Sequence, residues 1–181
     1  FKKRILMKKK IFTSLGLMSG TSMDGVDLSL IKTDGDTEFT PILDNYFEFD
    51  HKLKEKLINL RDEIYNPEDL EKYSKKIQEV EKEFTLFNIK IVSNVLKELN
   101  NEVDLIGFHG QTIFHDSNNK ITKQLGDGKL FSQMVKKIVV NNFRQKDLDN
   151  NGLGAPLTPL FHMLISKKLE REKKINLPLN I

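Results

Sequence analysis

The sequence predicts an α/β fold in which a mixed sheet is flanked by helices. Three observations support it: strand-like runs fill residues 11–50, apolar residues at helical spacing fill residues 51–99, and two short apolar runs follow at 103–108 and 138–140. Strands joined by a turn pair in the antiparallel direction, whereas an almost continuous apolar run is typical of a buried parallel strand. The sheet is therefore expected to combine both kinds of pairing.

The first two strands are predicted to be joined by a turn rich in glycine, serine and threonine. The runs 11–15 and 26–31 are strand-like, and the segment between them reads GLMSGTSMDG. Glycines permit positive φ angles and a close approach of the backbone. Backbone N–H groups and the hydroxyls of Ser19, Thr21 and Ser22 then form a set of donors without bulky side chains, which suits a phosphate.

Two carboxylates follow this turn and extend the interpretation as a nucleotide site. Asp24 and Asp27 lie where a Mg²⁺ ion that accompanies a phosphate would find oxygen ligands. The segment is not a Walker loop, because the Gly-x-x-x-x-Gly-Lys-Ser/Thr motif is missing and no lysine occurs between Met18 and Ile31. The turn therefore predicts nucleotide binding, and an ordinary Gly-Ser hairpin turn stays open as the alternative.

Helical patterns follow the first strands. Residues 51–64 carry leucine and isoleucine at helical spacing, and Asn66, followed by proline and an acidic residue, is typical of a helix start. Apolar residues then step by three or four through residues 67–99, which predicts one long helix. A position on the sheet is favoured over a coiled coil because Phe84 and Phe87 are bulky for a dimer seam.

The second half of the chain alternates buried strands with polar turns. The run 103–108 leads into a predicted turn at 109–112, and the run 138–140 leads into a polar segment. A glycine turn at 152–157 is expected to begin a helix, and residues 175–181 are expected to begin another strand. Polar and glycine residues at the carboxyl end of a buried strand are where open α/β sheets bind ligands.

Length and composition limit the class of protein. A chain of 181 residues, 38% of them hydrophobic, is long enough for one globular domain with a core of its own. The net charge is +3, but much of the positive excess lies in residues 1–10, which leaves no electrostatic footprint for nucleic acid. The absence of cysteine excludes a disulfide scaffold and thiolate metal ligands, and it fits a reducing cytoplasm.

Residues 1–10 are interpreted as a basic tail, and residues 11–181 as the domain. Met7 resembles a natural start, so residues 1–6 are expected to be upstream read-through or an artefact. The basic residues and the apolar run after Met7 resemble a signal peptide, but polar residues interrupt that run and no Ala-x-Ala site follows. No run of about 18 apolar residues is present, so no transmembrane helix is expected.

Four segments carry a resemblance to one family of enzymes. They are GLMSGTSMDGVD at 16–27, GFHGQTIFH at 107–115, QLGDG at 124–128, and the stretch 142–162, which contains NFR and GAPL. In order and spacing they resemble the anhydro-N-acetylmuramic acid kinases, sugar kinases of the actin-like and hexokinase-like fold. The resemblance covers nearly the whole chain from Ile11. It implies an actin-like ATPase (ribonuclease H-like) domain, the N-terminal one of the family's two.

The resemblance also implies a reaction, its cofactors and its cellular setting. Enzymes of this family use ATP and Mg²⁺ to phosphorylate 1,6-anhydro-N-acetylmuramic acid while water opens the anhydro ring, giving N-acetylmuramic acid 6-phosphate and ADP. The implied role is the recycling of cell-wall sugars in the bacterial cytoplasm. A homodimer is a further implied partner, whereas nucleic acid and membranes are not expected as partners.

The binding residues that the resemblance implies fall into two groups. In agreement with the donor-rich turn, the ATP-phosphate segment corresponds to Gly20, Thr21, Ser22, Met23, Asp24, Gly25, Val26 and Asp27. The implied sugar pocket contains His109, Gln111, Asp127, Arg144 and Asp147. A guanidinium pairs well with a carboxylate, so the lactyl carboxylate of the sugar is the expected partner of Arg144.

Several of these residues also have a purely structural interpretation. A metal pair of His109 and His115 is disfavoured by their spacing and the absence of cysteine, and a histidine at a strand end that holds a neighbouring loop is preferred. Asp127 between two glycines suits a turn, and Arg144 suits a structural ion pair. No dedicated metal site is therefore predicted.

The resemblance stops short of a complete enzyme. The family's general base is the aspartate of a Gly-x-Asp-Thr-Gly-Pro motif, which this sequence lacks, so no catalytic residue is predicted within it. Asn142 stands where the family usually has aspartate, and Leu153 where it usually has glutamine. The chain is expected to be the N-terminal half of such a kinase, inactive without a C-terminal half in the same or another chain. A binding module without activity, or a remnant of a split gene, is the alternative.

Overall fold

The computed structural model describes residues 10–99 and 102–171 and confirms the predicted α/β fold. Among these residues, helices flank a mixed sheet of six strands. The strands are β1 (Phe12–Ser19), β2 (Gly25–Thr33), β3 (Phe39–Glu48), β4 (Leu105–Asp116), β5 (Ile121–Leu125) and β6 (Ile138–Asn141). The helices are α1 (His51–Arg61), α2 (Pro67–Lys72), α3 (Ser74–Glu98), α4 (Gly128–Val135), α5 (Phe143–Asp149) and α6 (Pro159–Arg171).

The sheet combines antiparallel and parallel pairing, as the sequence predicts. β1, β2 and β3 form an antiparallel meander, and β1 also pairs in parallel with β4. β6 lies parallel to β4, whereas β5 folds back antiparallel on the second half of β4. The carboxyl ends of β1 and β6 therefore lie beside residues 108–111 in the middle of β4, next to the β1–β2 turn.

The helix start at Asn66 is confirmed, but the single long helix is wrong. Asn66 and Asp69 form a reciprocal capping box ahead of α2, which begins at Pro67 as expected. The predicted continuous helix over 67–99 is interrupted at Tyr73, whose dihedral angles (φ −99°, ψ 17°) separate α2 from α3. Apolar spacing continues across this residue, so periodicity alone does not reveal the break.

One face of the sheet forms the core, and α3 lies on it as predicted. The Phe84 ring of α3 stacks on Phe108 of β4 with centroids 6.0 Å apart, and Phe131 of α4 meets Phe108 edge-on at 4.8 Å. Leu15 and Leu17 of β1 are buried on the same face. Each such side chain contributes roughly 1.5–3 kcal/mol on burial, so this face dominates the stability of the fold.

β4 is longer than the sequence predicts. The predicted turn at 109–112 lies inside this strand, which continues to Asp116. Gly110 adopts φ 78° there, and a Cβ atom at this position would collide with the carbonyl oxygen of Leu125 on the neighbouring strand. A glycine therefore allows the strand to bend without ending.

The predicted strand at 175–181 and residues 1–9 of the basic tail lie outside the described residues. The helix predicted after the 152–157 turn is present as α6. Across the described ranges, no helix is both long enough and apolar enough to cross a membrane.

Candidate functional site

The β1–β2 turn is anchored by one buried side chain and exposed at its tip. Met23 is fully buried, has φ 53°, and donates its backbone N–H to Gly20 O at 3.2 Å. Thr21 and Ser22 are exposed. Within the part of the chain that the structure describes, no hydrogen bond joins the backbone N–H of either residue to an acceptor. Such amides are the donors that a phosphate group needs.

The Asp24 carboxylate lies beside the same tip. Ser22 Oγ donates to Asp24 Oδ1 at 2.7 Å, and this hydrogen bond is the main cause of the lowered pKa of Asp24. Partial desolvation, together with the negative charges of Asp24 and Glu48, raises the pKa of Tyr46 on β3. A charged carboxylate thus stands next to unpaired backbone donors, an arrangement that suits a phosphate accompanied by Mg²⁺.

The other predicted phosphate residues begin β2. Gly25 lies beneath the Tyr46 ring, where a Cβ atom would come within 2.6 Å of Cζ. Val26 is buried in the core, so only its backbone is available to a ligand. Asp27 is exposed and lies opposite Tyr46 across the strand pair. The eight predicted residues therefore form a turn and the start of β2, and this segment is accessible at its tip and at its two carboxylates.

Gln111 connects this turn to β4. Its side chain is fully buried, Nε2 donates to Gly20 O at 3.0 Å, and Oε1 lies 2.5 Å from Ser19 Oγ. Ser19 Oγ also lies 2.9 Å from Gly25 O. The sequence predicts Gln111 as a sugar ligand, and in the structure its amide is bonded to the β1–β2 turn.

His109, two residues earlier on β4, is bonded to Arg144 of α5. Arg144 Nε donates to His109 Nε2 at 2.9 Å, and His109 Nδ1 lies 2.7 Å from Gly110 O. Because Nε2 accepts a hydrogen bond, Nδ1 must carry the proton and the ring is neutral. Burial, aided by the positive charge of Arg144, lowers the pKa of His109. The pair is therefore a fixed hydrogen-bonded unit with one positive charge.

The loop after α5 is tied to the same unit. Arg144 Nη1 donates to Gly154 O at 2.7 Å, and Gly154 N donates to Asp147 Oδ2 at 2.8 Å. Gly152 packs so closely on the Asp147 carboxylate that a Cβ atom would collide with it. His115 Nε2 lies 3.0 Å from the Leu153 carbonyl oxygen, which fits the prediction of a histidine that holds a neighbouring loop. No cluster of three metal-ligating side chains occurs in the described ranges.

Asp127 is the N-cap of α4. Its Oδ1 accepts the N–H of Leu130 at 2.8 Å, and its own N–H donates to Thr85 Oγ1 at 3.0 Å. Glu81, one turn earlier on α3, accepts the N–H of Gly126 at 3.1 Å. Sequence reasoning missed Glu81 and Thr85 as supports of this loop. Their spacing of four residues on one side of a helix is the signal that places them together.

Two concavities meet at His109. One, of about 260 Å³, is mainly polar and includes Glu81 and Lys123, whose charged groups lie 2.9 Å apart. The other is more open, and Phe143 and Asp147 contribute to its wall. His109, in the middle of β4, is therefore the point near which polar side chains from α3, β5 and α5 converge.

The predicted sugar residues separate into two sets in the structure. His109, Arg144 and Asp147 come together through direct or shared contacts. Gln111 and Asp127, like Arg144, line neither concavity, and their side chains are engaged in the turn and in the helix cap. His109 and Asp147 thus line the open concavity, whereas Arg144, Gln111 and Asp127 hold neighbouring groups by hydrogen bonds.

Comparison with known proteins decides the family. A family model described as anhydro-N-acetylmuramic acid kinase matches residues 12–181. The chain belongs to this family. It is 52% identical over 165 residues to the anhydro-N-acetylmuramic acid kinase of Pelagibacter ubique, a match that covers 91% of this chain and 44% of that relative. Agrobacterium fabrum and Rhizobium etli have kinases of the same name with 35% and 38% identity, and each match covers 88% of this chain and 44% of the relative. The chain therefore spans less than half the length of these curated relatives.

Membership of the anhydro-N-acetylmuramic acid kinase family agrees with where the four resembling segments lie. They contribute the β1–β2 turn, β4, the β5–α4 loop, and α5 with its following loop. These parts gather where β1 and β6 end beside residues 108–111 of β4, and open α/β sheets bind ligands at the carboxyl ends of such parallel strands. The β1–β2 turn and the concavities at His109 accordingly lie beside the same part of β4.

Both departures from the usual family pattern are accommodated locally. Asn142 has φ 58°, a left-handed conformation that asparagine tolerates better than most residues. The Leu153 side chain is 65% exposed, and its backbone carbonyl still lies within hydrogen-bond distance of His115.

Proposed function

We propose that this chain supplies the N-terminal half of a kinase that uses ATP to phosphorylate 1,6-anhydro-N-acetylmuramic acid, with hydrolytic opening of the ring to N-acetylmuramic acid 6-phosphate. Support comes from its relatives, which are named as kinases of anhydro-N-acetylmuramic acid. The observation that carries the proposal is the hydrogen bond from Gln111 to Gly20. It holds the segment 20–27, called the nucleotide turn from here on, beside the strand that carries His109. Phosphoryl transfer depends on positioning donor and acceptor side by side.

On the nucleotide side, Gly20 to Asp27 are proposed to hold the ATP phosphates and Mg²⁺. The unpaired amides of Thr21 and Ser22 fit phosphate oxygens, and the charged carboxylate of Asp24 fits the metal ion. Bound ATP supplies the transferred phosphoryl group, and Mg²⁺ neutralises part of its charge. The buried Met23 keeps the tip in one conformation, so little ordering is required on binding.

On the sugar side, Arg144 is proposed to bind the lactyl carboxylate. Its Nε–H and one N–H of Nη1 donate to His109 and to the Gly154 carbonyl. A guanidinium has five N–H donors, so the second one on Nη1 and both on Nη2 stay available for an end-on forked contact. Burial lowers the pKa of Arg144, and the same partial loss of water strengthens its pairing with a carboxylate.

Turnover is proposed to require a C-terminal kinase half, in the same or another polypeptide. The resemblance assigns the general base and the adenosine contacts to that half, and this chain matches only 44% of its relatives' length. A water must be deprotonated and aligned to open the anhydro ring, and such a base contributes about 10²–10⁴-fold to rate. A cytoplasmic location and a homodimer belong to the same proposal.

Calorimetric titration tests the proposal directly. The folded chain is titrated with 1,6-anhydro-N-acetylmuramic acid and, separately, with Mg-ATP, and saturable binding of each is expected. Addition of the part of the Pelagibacter ubique relative that follows its match to this chain is then expected to produce ADP only when the sugar is present. A folded chain that binds neither ligand, alone or with that part, contradicts the proposal.

A binding module without turnover is the second candidate, and one observation favours it. Leu153 exposes an apolar side chain where the family usually has glutamine, so a donor and an acceptor are lost beside the site. The mixture of this chain with the C-terminal part of the relative distinguishes the two candidates, because a binding module binds the sugar but releases no ADP. The variant Leu153→Gln is expected to tighten sugar binding if this position contacts the ligand.

A further inference from the structure

The face of the sheet opposite α3 carries an apolar trough. Met18 of β1 is 44% exposed, and Ile138 and Val140 of β6 are 66% and 42% exposed. Their strand neighbours Leu17 and Val139 point to the core on the other face, so these three side chains share the open face. Apolar side chains that cluster on one sheet face mark a contact surface more often than scattered ones do.

Two glycines form the floor of this trough. Gly16 of β1 is the register partner of Gly107 of β4, and Gly107 is the partner of Val140. The nearest atom to a Cβ built on Gly16 is the Ser29 carbonyl oxygen at 4.0 Å, so the space above the floor is open. The Phe143 ring, 3.8 Å from a Cβ built on Gly107, forms one wall. We call the surface made by Gly16, Met18, Gly107, Ile138, Val140 and Phe143 the glycine trough.

In the described part of the chain, α5 borders this face through Phe143 and Arg144, and α6 covers its far end. There α6 packs on β3, with the Phe161 and Phe39 rings 5.0 Å apart and Lys168 Nζ donating to Phe39 O at 2.7 Å. Parallel strands are found almost only in sheets that are covered on both faces, and β1, β4 and β6 pair in parallel here. The trough therefore lies where a second layer is expected.

We infer that the glycine trough is the docking surface for the C-terminal half of an anhydro-N-acetylmuramic acid kinase, which rests on the proposed function. The relatives contain more than half of their length beyond the matched part, enough for a complete covering layer. The trough is also continuous with the site, because Phe143 lines both the trough and the open concavity with His109 and Asp147. A half that completes the site at His109 thus reaches the trough without crossing any other surface.

The side chains of the trough determine which kind of surface can dock on it. An aliphatic strip on the incoming half fits between the Met18 and Val140 side chains, and the two glycines let its backbone approach the sheet closely. Burial of Val140 in such a contact is worth about a tenfold change in affinity or more. A charge at the same position would be desolvated without a partner, so its effect is larger than that of simple truncation.

The test uses the tagged full chain and the C-terminal part of the Pelagibacter ubique relative in a binding measurement by biolayer interferometry. Val140→Asp is expected to weaken the complex by about tenfold or more. Leu86→Asp is the matched control, because Leu86 is 43% exposed on α3 and lies outside the trough. Circular dichroism melting of both variants separates loss of docking from loss of fold, and Val140→Ala gives a milder second substitution.

Three results overturn the inference. The first is that the wild-type chain forms no complex. The second is that Val140→Asp and Leu86→Asp weaken the complex equally. The third is a homodimer in light scattering that Val140→Asp dissociates, because a second copy of the chain would then occupy the trough. Sugar binding by the Val140→Asp chain is measured in the same preparation. Retained sugar binding with lost docking supports both proposals, whereas lost sugar binding in the folded wild-type chain defeats the proposed function alone.

Discussion

The side-chain amide of Gln111 donates to the backbone carbonyl of Gly20 at 3.0 Å, although 91 residues separate them in the chain. This contact joins β4 to the β1–β2 turn. The same side chain reaches Ser19, which in turn lies against the carbonyl of Gly25 at the other side of the turn. The position of the exposed backbone amides at the tip therefore depends on one buried amide from another strand.

Replacement of Gln111 by methionine is expected to release the turn. The change removes the two hydrogen bonds that the buried amide makes to Gly20 O and Ser19 Oγ, each worth about 0.5–1.5 kcal/mol of unfolding free energy. Urea denaturation measures this cost, and hydrogen exchange measures the loosening of residues 19–25. Gln145→Met is the matched control, since the Gln145 amide bonds only exposed groups on α5 and the Lys120 carbonyl. Unchanged exchange in the turn would contradict the assigned role.

The stability of the fold is expected to fall as the pH drops below about 6.5. The folded-state pKa of His109 lies below its usual value of 6.5 because the ring is buried next to Arg144. The unfolded chain therefore binds a proton first, so stability is complete above pH 6.5 and is lost toward the lowered pKa. Urea denaturation from pH 8 to pH 5 shows this slope. This dependence of stability on pH is expected to be weaker in the variant His109→Gln. The variant His51→Gln, which replaces an exposed histidine, is the control and is expected to behave like the wild-type chain. Equal slopes in the wild-type chain and both variants would refute the prediction.

Asp127 can be tested for separate structural and binding roles. Asp127→Ala is expected to cost about 0.5–2 kcal/mol because the N–H of Leu130 loses its cap, whereas Asp127→Ser keeps a capping oxygen. Thermal melting compares the two variants. If Asp127 also binds the sugar, Asp127→Ser loses affinity in calorimetry while it retains stability; if the residue only caps α4, sugar affinity follows stability in both variants.

Arg144→Lys is expected to weaken sugar binding by about tenfold or more, because the single ammonium nitrogen of lysine offers no planar fork to a carboxylate while it also bonds His109 and the Gly154 carbonyl. The binding of Mg-ATP to the same variant is expected to stay unchanged, since Arg144 contacts neither Gly20 nor its neighbours. Arg61→Lys serves as the control for the sugar, because Arg61 pairs with Asp62 and reaches only the Thr21 carbonyl. Equal losses of sugar binding in the two variants would remove Arg144 from the pocket.

Much of the fold can be predicted from the sequence, because the signals are local. Alternating burial in β1 and β2, the capping box at Asn66 and the apolar stripe of α3 each depend on residues within a few positions of one another. The errors have local causes too. The break at Tyr73 does not interrupt the apolar spacing, and Gly110 bends β4 without ending it.

The same difference between local and long-range signals applies to the candidate site. The sequence by itself determined the donor-rich turn, its two carboxylates and the resemblance to the kinase family, since these lie in contiguous motifs. Only the tertiary structure decided that Gln111 holds the turn and that Arg144 holds His109 from 35 residues away. Hydrogen bonds between distant residues depend on strand register and on helix placement, and neither leaves a periodic trace in the chain. For the same reason, the glycine trough cannot be predicted from the sequence, because only strand pairing makes Gly16 and Gly107 neighbours.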